Sequence, residues 1–184
     1  MENAEQVPAV KRSVLCVQPK QDFHSALQRA LSQFCLTTVP SARDALTALN
    51  AGAFEAYVLD FWLPDWSGAN LCREIRQTDP HAPICFFTSA DSLELKQRAI
   101  RAGAQAYFLA PDGAHALAGK IRLLLQYADL RALRAKLELE RAVHQDLERQ
   151  AAMATLQSER APQRAAEALE RRAKIRASKA FVEA

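Results

Sequence analysis

The chain has 184 residues, of which 49% are hydrophobic, and a formal net charge of +3, so it can bury a core and is expected to form one compact domain with an extension. It contains no apolar run of membrane-spanning length and no N-terminal secretion signal, which argues against a membrane protein and predicts a cytoplasmic one. The excess of basic side chains lies in the C-terminal tail, which argues against the globally basic class of nucleic-acid-binding proteins.

Short apolar runs alternate with amphipathic stretches after a polar leader, 1–12, which we predict to be flexible. The apolar runs predict five strands, at 14–17, 36–39, 57–60, 84–87 and 106–109. The stretches between them predict helices at 22–34, after Ser41 as a cap, at 70–77, at 93–102 before Gly103, and from residue 114 onward. This alternation predicts an α/β fold, a flavodoxin-like doubly wound five-stranded parallel sheet in the order 2-1-3-4-5, followed by a long C-terminal helix.

The last helix is predicted to continue beyond this domain, through 127–158, because that segment lacks Pro and Gly and is rich in strong helix formers. A stripe of leucines at three-four spacing runs along it and predicts dimerisation through Leu130, Leu133, Leu137 and Leu147. Gln126, Glu140 and His144 fall in the same register and weaken the stripe. A self-associating coiled coil is the favoured interpretation, and a helix folded back on its domain or frayed in solution is the alternative.

Pro162 is expected to interrupt the helix before a basic helical tail, 159–184. The basic residues of the tail could bind nucleic acid: Arg171, Arg172, Lys174, Arg176 and Lys179. This run of basic residues is short and Phe181 is the one aromatic beside it, so a solvated helix face is the favoured interpretation. The predicted organisation is therefore a leader (1–12), a domain (13–126), an extended helix or coiled coil (127–158) and the tail (159–184).

One carboxylate ends the third predicted strand. The apolar run 57–59 ends in Asp60, and a turn carrying Pro64 and Gly68 follows. Thr88 closes the fourth strand, and Tyr107 lies in the fifth strand before Pro111. In order and spacing these residues, over about 13–126, resemble the receiver domain of bacterial two-component response regulators.

The resemblance implies phosphorelay signal transduction, in which an aspartate at the position of Asp60 accepts a phosphoryl group from a histidine kinase. An acidic pair after the first strand then holds Mg²⁺, a lysine after the fifth strand pairs with the phosphoryl group, and residues at the positions of Thr88 and Tyr107 form a switch. In this chain Gln18 and Pro19 stand where the acidic pair is expected, and Ala110 stands where the lysine is expected. The resemblance is therefore to an atypical, degenerate receiver.

Three interpretations of Asp60 follow. The favoured one is a receiver that no longer accepts phosphate and acts through protein–protein interaction and helix-mediated dimerisation. The second is a conventional phosphoacceptor that switches the C-terminal helix, with weak Mg²⁺ affinity, and the third is an unrelated catalytic role. Lys20 could pair with Asp60 in place of a metal, although an exposed loop lysine is the favoured reading.

Two tryptophans, Trp62 and Trp66, lie in the loop after Asp60 and either cap the site or present a surface to a partner. No nucleophile and base pair stands out, so we predict that the chain is not an enzyme. The scattered cysteines and histidines predict reduced thiols, no metal site and no cofactor. The expected partners are a second copy of the chain and a histidine kinase or other signalling protein, without a membrane.

Overall fold

A computed structural model describes the backbone of residues 11–182 and the side chains of residues 11–174. Contacts divide the chain into two units, Met1–Arg131 and Ala132–Ala184. Most of the leader predicted at 1–12, and the side chains of the tail beyond Lys174, therefore lie outside the described residues.

The first unit contains a five-stranded sheet in the order β2-β1-β3-β4-β5, which confirms the predicted topology. All neighbouring strands run parallel. The strands are β1 (Ser13–Val17), β2 (Cys35–Val39), β3 (Ala56–Leu59), β4 (Ile84–Thr88) and β5 (Ala106–Leu109). Because parallel strands end at one edge of a sheet, the residues that follow β1, β3, β4 and β5 gather there.

Five helices connect and follow the strands. They are α1 (His24–Ala30), α2 (Ala42–Ala51), α3 (Gly68–Thr78), α4 (Leu93–Arg101) and α5 (Ala114–Val182). Two predicted helix ends are confirmed: the Ser41 hydroxyl accepts from the Asp44 N–H at 3.1 Å at the start of α2, and Gly103 takes a φ of 108° after α4. A side-chain acceptor satisfies an orphan donor at the first end, and only glycine adopts that φ without strain at the second.

Two helices, α1 and α3, differ from the prediction by two or more residues at a boundary. The helix predicted at 22–34 is a short 3-10 turn, Gln21–Phe23, followed by α1, which ends at Ala30. Leu31 and Phe34 are still buried, in a turn closed by a bond from the Phe34 N–H to the Leu31 carbonyl at 2.9 Å. Apolar spacing thus predicted their burial but not the end of the helix.

The third helix begins at Gly68, before the predicted residue 70. The reason is its cap, because the Ser67 hydroxyl accepts from the Asn70 N–H at 3.2 Å. This places the start of α3 directly against the loop that follows Asp60.

The core lies on both faces of the sheet, since successive residues of each buried strand point to opposite faces. One layer joins Leu15, Leu59 and Phe86 to α2, α3 and α4. The other joins Cys16 and Phe87 to α1 and the start of α5, together with their neighbours. Burial on both faces explains why the inner strands β1, β3 and β4 read as nearly continuous apolar runs, whereas the edge strands β2 and β5 are partly exposed.

The cysteines are free thiols, as predicted. Cys16, Cys72 and Cys85 are buried, and Cys35 is exposed. Burial, with a smaller contribution from the charge of Asp60, raises the pKa of Cys16 to about 12. Burial likewise raises the pKa of Cys85 to about 12. Because only the thiolate is a good nucleophile, these two side chains act as small apolar groups.

Helix α5 packs on the sheet at its start through Ala114, Leu117, Ala118, Ile121 and Leu125. Every described side chain from residue 129 to 174 is exposed. The interruption predicted at Pro162 is wrong, because the helix continues through it. Proline removes one backbone donor, and the helix formers on both sides sustain the rest. Within the described residues, none of the helices is both long and apolar enough to span a bilayer.

Arg12 ties the start of β1 to two other parts of the first unit. Its Nε donates to Glu55 at 2.7 Å, and its terminal nitrogens donate to both carboxylate oxygens of Asp129 at 2.6 and 3.0 Å. These bonds raise the pKa of Arg12 and lower the pKa of Asp129. The fork geometry fixes the beginning of β1 against α5.

Candidate functional site

Asp60 lies at the end of β3, at the edge where the strands terminate, and only 1% of its surface is exposed. Its backbone N–H continues the ladder by donating to the Val17 carbonyl at 2.8 Å. Its side-chain Oδ1 accepts from the N–H groups of Phe61 and Trp62, at 2.6 and 3.4 Å. Its Oδ2 is buried and has no hydrogen-bond partner among the described residues. The carboxylate is therefore positioned by backbone donors and half satisfied by them.

Gly68 is required by close packing at Asp60. A Cβ at this position would lie 2.0 Å from the Asp60 carbonyl oxygen and 3.1 Å from Cε1 of Phe86. The Gly68 N–H donates to the Phe61 carbonyl at 2.9 Å, which closes the loop between Asp60 and α3. The spacing of Asp60 and Gly68 in the sequence thus reflects a contact between the end of β3 and the first residue of α3.

Gln18, after β1, is a buried connector rather than an open ligand. Its Nε2 donates to the Phe87 carbonyl at 3.3 Å, and its Oε1 accepts from the Lys20 N–H at 3.1 Å. Its backbone carbonyl contacts His24 Nε2 at 3.0 Å. Both ends of the amide are therefore engaged, and the side chain joins the β1 loop to β4 across the end of β3. Pro19 beside it is partly exposed and has no side-chain donor or acceptor.

Lys20 does not pair with Asp60. Its Nζ donates to the Ser89 hydroxyl at 2.7 Å and lies 5.7 Å from the centre of the Phe23 ring. The alternative in which this lysine replaces a metal is therefore not seen, and the exposed-lysine reading fits the geometry. The contact nevertheless links the loops after β1 and β4.

Ala110 directly follows β5. Its N–H donates to the Thr88 carbonyl at 2.9 Å, and its peptide bond to Pro111 is cis. The methyl side chain places no charge at the edge of the sheet near Asp60.

Thr88 and Tyr107 both contact the loop after β4, at the same residue. The Thr88 hydroxyl accepts from the Ala90 N–H at 3.3 Å, and the Tyr107 hydroxyl donates to the Ala90 carbonyl at 2.6 Å. The Tyr107 ring stacks on Phe86 with a centroid distance of 6.0 Å and an interplanar angle of 13°. Burial, followed by the negative charge of Asp60, raises the pKa of Tyr107 to about 12. The two predicted switch residues thus hold one loop in one conformation.

The tryptophans differ in exposure. Trp62 is 57% exposed, with its ring edge-on to Phe61 at a centroid distance of 5.2 Å, and Trp66 is 38% exposed. The ring of Trp62 is thus open to solvent, while its backbone N–H bonds to Asp60. This exposure supports the reading in which the loop presents an aromatic surface.

Asp65 was not among the residues that the sequence pointed to. Its two carboxylate oxygens each accept at 2.9 Å from a backbone N–H at the start of α2, one from Ala42 and one from Arg43. Desolvation raises its pKa, but these backbone hydrogen bonds outweigh that effect, and the pKa is lowered. The bond joins the Asp60 loop to a helix distant in sequence, so no local pattern could have revealed it.

The donor set around Asp60 does not fit a Mg²⁺ site. Mg²⁺ prefers anionic oxygens, and Asp60 supplies one carboxylate while the amide of Gln18 is already engaged at both ends. In the part of the chain that the structure describes, no three His, Cys, Asp or Glu side chains cluster as a metal site would require.

The leucines predicted to mediate dimerisation lie on α5 as expected from their spacing. Leu130, Leu133, Leu137 and Leu147 are all exposed in the single chain. They therefore form an exposed apolar stripe along α5.

The chain belongs to the response regulator receiver domain family, which it matches over residues 14–122. The fold, with Asp60 at the end of β3, agrees with this assignment. The chain is thus a two-component response regulator receiver followed by a long helix.

Two curated relatives and two solved structures illustrate the likeness. The Response regulator MprA of Mycobacterium ulcerans is 33% identical over 120 residues, 64% of this chain and 51% of that protein. The protein of the same name from Mycobacterium leprae is 33% identical over 116 residues, 61% of this chain and 50% of that protein. The chain thus spans about half the length of the curated relatives it matches.

Among solved structures, the BeF3-activated DrrB receiver domain is 25% identical with a TM-score of 0.59, covering 63% of this chain and 98% of that one. The receiver domain of an HD domain-containing protein from Pseudomonas fluorescens is 23% identical with a TM-score of 0.63, covering 68% and 94%. The second likeness concerns the fold alone.

Proposed function

We propose that the chain is a cytoplasmic, non-enzymatic signalling protein whose receiver acts by protein–protein interaction, without phosphorylation, and dimerises through α5. One observation carries this proposal. Gln18, Pro19 and Ala110, which stand where the acidic pair and the lysine are expected, leave Asp60 as the one charged side chain among these positions, and the Gln18 amide is committed to Phe87 and Lys20.

The chemistry of phosphoryl transfer explains why this matters. The transferred group carries negative charge that a metal ion and a cationic side chain normally offset, and each can contribute several kcal/mol to the barrier. Lys20, the cation that the sequence suggested for this site, donates its ammonium hydrogen bond to Ser89. Ala110 contributes a methyl group where a cation would be needed. Formation of an acyl phosphate on Asp60 would therefore proceed without either source of stabilisation.

The test is a titration of the full chain with Mg²⁺ and beryllofluoride, followed by tryptophan fluorescence. Trp62 is a suitable reporter because its backbone N–H bonds to Asp60 Oδ1 at 3.4 Å while its ring is exposed. We expect no saturable change at millimolar metal that depends on Asp60. A change that saturates in the wild type and is lost in Asp60→Asn would refute the proposal.

A gain-of-function variant provides the positive control. Gln18→Asp, Pro19→Asp and Ala110→Lys together would supply the acidic pair and the lysine at the sheet edge. We expect this triple variant to respond to Mg²⁺ and beryllofluoride where the wild type does not. If neither protein responds, the missing acidic pair and lysine do not explain why the wild type fails to respond to Mg²⁺ and beryllofluoride, and the proposed mechanism is wrong.

The second candidate function is a conventional receiver that is phosphorylated on Asp60 by a histidine kinase and switches α5. The observation that favours it is the buried Oδ2 of Asp60, which has no partner among the described residues and is free to accept one. Thr88 and Tyr107 also converge on Ala90. Mg²⁺-dependent labelling of Asp60 by a small phosphodonor would establish this function, and a kinase should then be sought.

A further inference from the structure

Six residues of α5 form one stripe within the unit Ala132–Ala184, which we call the seam. They are Leu133, Leu137, Glu140, His144, Leu147 and Ala151. Their spacing alternates between three and four residues, as for the a and d positions of a coiled coil, and all six are exposed. The seam is polar at its centre and apolar on both sides of the centre. This symmetry about the middle of the segment is what an antiparallel pair of identical helices requires.

We propose that the seam pairs with the seam of a second copy of the chain in antiparallel orientation, with Glu140 facing His144 of the second copy. The proposal rests on the proposed function in one respect, namely that α5 self-associates, and adds the orientation and the register.

The apolar residues match in this register. In an antiparallel pair, seam residues that are equally distant from the centre, on opposite sides of it, meet. Leu137 then faces Leu147 of the second copy, and Leu133 faces Ala151. Further out, the same rule places Leu130 against Ala154. Large residues thus meet large ones near the centre and small ones outside it, which lets the helices approach closely.

The polar residues match as well. In the single helix the His144 Nε2 lies 3.2 Å from Glu148 Oε1, and Arg134 Nε lies 3.9 Å from Glu138 Oε1, all on the surface. In the antiparallel pair, the imidazole of His144 faces the Glu140 carboxylate of the second copy. Beside the seam, the residues that directly follow Leu133, Glu140 and Leu147 meet one another across the pair, so that Arg134 faces Glu148 of the second copy. Both contacts occur twice by symmetry. The one like-charged contact is that of Arg141 with its own copy.

A parallel, in-register pair is less favourable for the same side chains. It would place Glu140 against its own copy and His144 against its own copy in the seam. It would also bring Lys136 beside Arg141 of the second copy, twice. Like charges at such positions destabilise coiled coils and select against the arrangement that contains them. Charge complementarity therefore favours the antiparallel pair.

The orientation is tested by disulfide mapping in the full chain, in a Cys35→Ser background because Cys35 is exposed while the other three cysteines are buried. The variant Leu137→Cys/Leu147→Cys is oxidised and digested with trypsin, which cuts at Arg141 between the two sites. The two positions are about 15 Å apart along one helix, too far for a disulfide within the chain. An antiparallel dimer gives the mixed peptide pair, from position 137 to position 147.

Each alternative outcome has a distinct meaning. Peptides linked 137 to 137 and 147 to 147 would show a parallel dimer and overturn the orientation while leaving self-association intact. A dimer in sedimentation equilibrium without either disulfide would overturn the register. A monomer in sedimentation equilibrium would overturn both this inference and the dimerisation in the proposed function. A larger assembly would also overturn the pairing, because the proposed seam joins two copies and leaves no second seam for a third.

A second measurement uses charge. In the antiparallel register Glu140→Lys/His144→Glu creates two Lys–Glu contacts, so the dimer should tighten relative to the wild type. In the parallel register the same variant places Lys on Lys and Glu on Glu and should weaken it. His144→Glu alone should raise the dimer Kd about tenfold, since two glutamate pairs then meet. Gln145→Glu, which adds the same charge beside the seam, is the matched control and should leave Kd unchanged.

Discussion

Gly68→Ala tests the packing that places Asp60 at the edge of the sheet. The added Cβ would lie 2.0 Å from the Asp60 carbonyl oxygen, where real Cβ contacts remain above 3.0 Å. The obstructing atom belongs to the backbone at the end of β3, so no side-chain rotation relieves the clash. Either α3 shifts away from β3 by about an ångström or the loop between them is rebuilt.

The expected cost follows from this geometry. Overpacking a rigid core costs about 1–3 kcal/mol, and a contact with strand backbone belongs at the upper end of that range. Gly119→Ala is the matched control, because Gly119 lies within α5 with no atom within 4 Å of an added Cβ. Alanine there should stabilise the helix by about 1 kcal/mol, since glycine has the greater backbone entropy to lose. The two variants should therefore differ by roughly 4 kcal/mol.

The assay is urea unfolding of the full chain, followed by tryptophan fluorescence and by circular dichroism. We expect the unfolding midpoint to fall for Gly68→Ala and to rise for Gly119→Ala, at similar slopes. Gly68→Ala with a stability within about 1 kcal/mol of the wild type would refute the reasoning. It would mean that the contact between α3 and the end of β3 is soft and does not fix the position of Asp60.

Three further predictions concern charged and titratable groups of the first unit. Asp65→Ala should lower the free energy of unfolding by about 1 kcal/mol, because two backbone N–H groups at the start of α2 lose their acceptor, and Asp65→Asn should lower it less. Because the folded-state pKa of Asp65 is lowered, the contribution of its carboxylate to folding stability is present above the ordinary carboxyl pKa and is lost as pH falls through the folded-state pKa. If Asp65→Ala lost stability at acid pH as the wild type does, this reasoning would be wrong. Arg12→Gln should reduce amide-exchange protection in α5 around Asp129, whereas Lys11→Gln should not; equal protection in both would contradict the anchoring role. Tyr107 should titrate at about 12 by phenolate absorbance, and earlier in Asp60→Asn, with stability declining as pH rises from the ordinary tyrosine pKa through that value. A Tyr107 titration unaffected by Asp60→Asn would show that the carboxylate charge does not reach it.

Features carried by local pattern were predictable from the sequence. Apolar runs of strand length separated by amphipathic stretches predicted the parallel sheet and its order. The position of Asp60 at the edge of the sheet was predictable because Asp60 comes directly after the apolar run of β3. Gly103 was recognisable as the end of α4, because the residue after a helix often takes a positive φ and glycine is the usual residue there. In each case the physical cause lies within a few residues of the position itself.

Features set by contacts between distant segments were not predictable. Asp65 caps a helix that precedes it in the chain, and Lys20 bonds to Ser89 from a different loop. The end of α1 is decided by the turn that brings Phe34 into the core. Pro162 was also mispredicted. Proline removes one backbone hydrogen bond from a helix, and the strong helix formers on both sides of Pro162 keep the helix continuous despite that loss.

The edge of the sheet is held together by neutral contacts that do not require a bound ion. Gln18 joins the loop after β1 to β4, and Tyr107 and Thr88 hold Ala90. In a receiver with an acidic pair, carboxylates at the sheet edge repel one another unless a cation lies between them. A neutral amide at Gln18 removes that repulsion and adds hydrogen bonds in its place. These hydrogen bonds join the loops after β1, β4 and β5 without a metal, which is consistent with the proposed receiver that acts through protein–protein interaction.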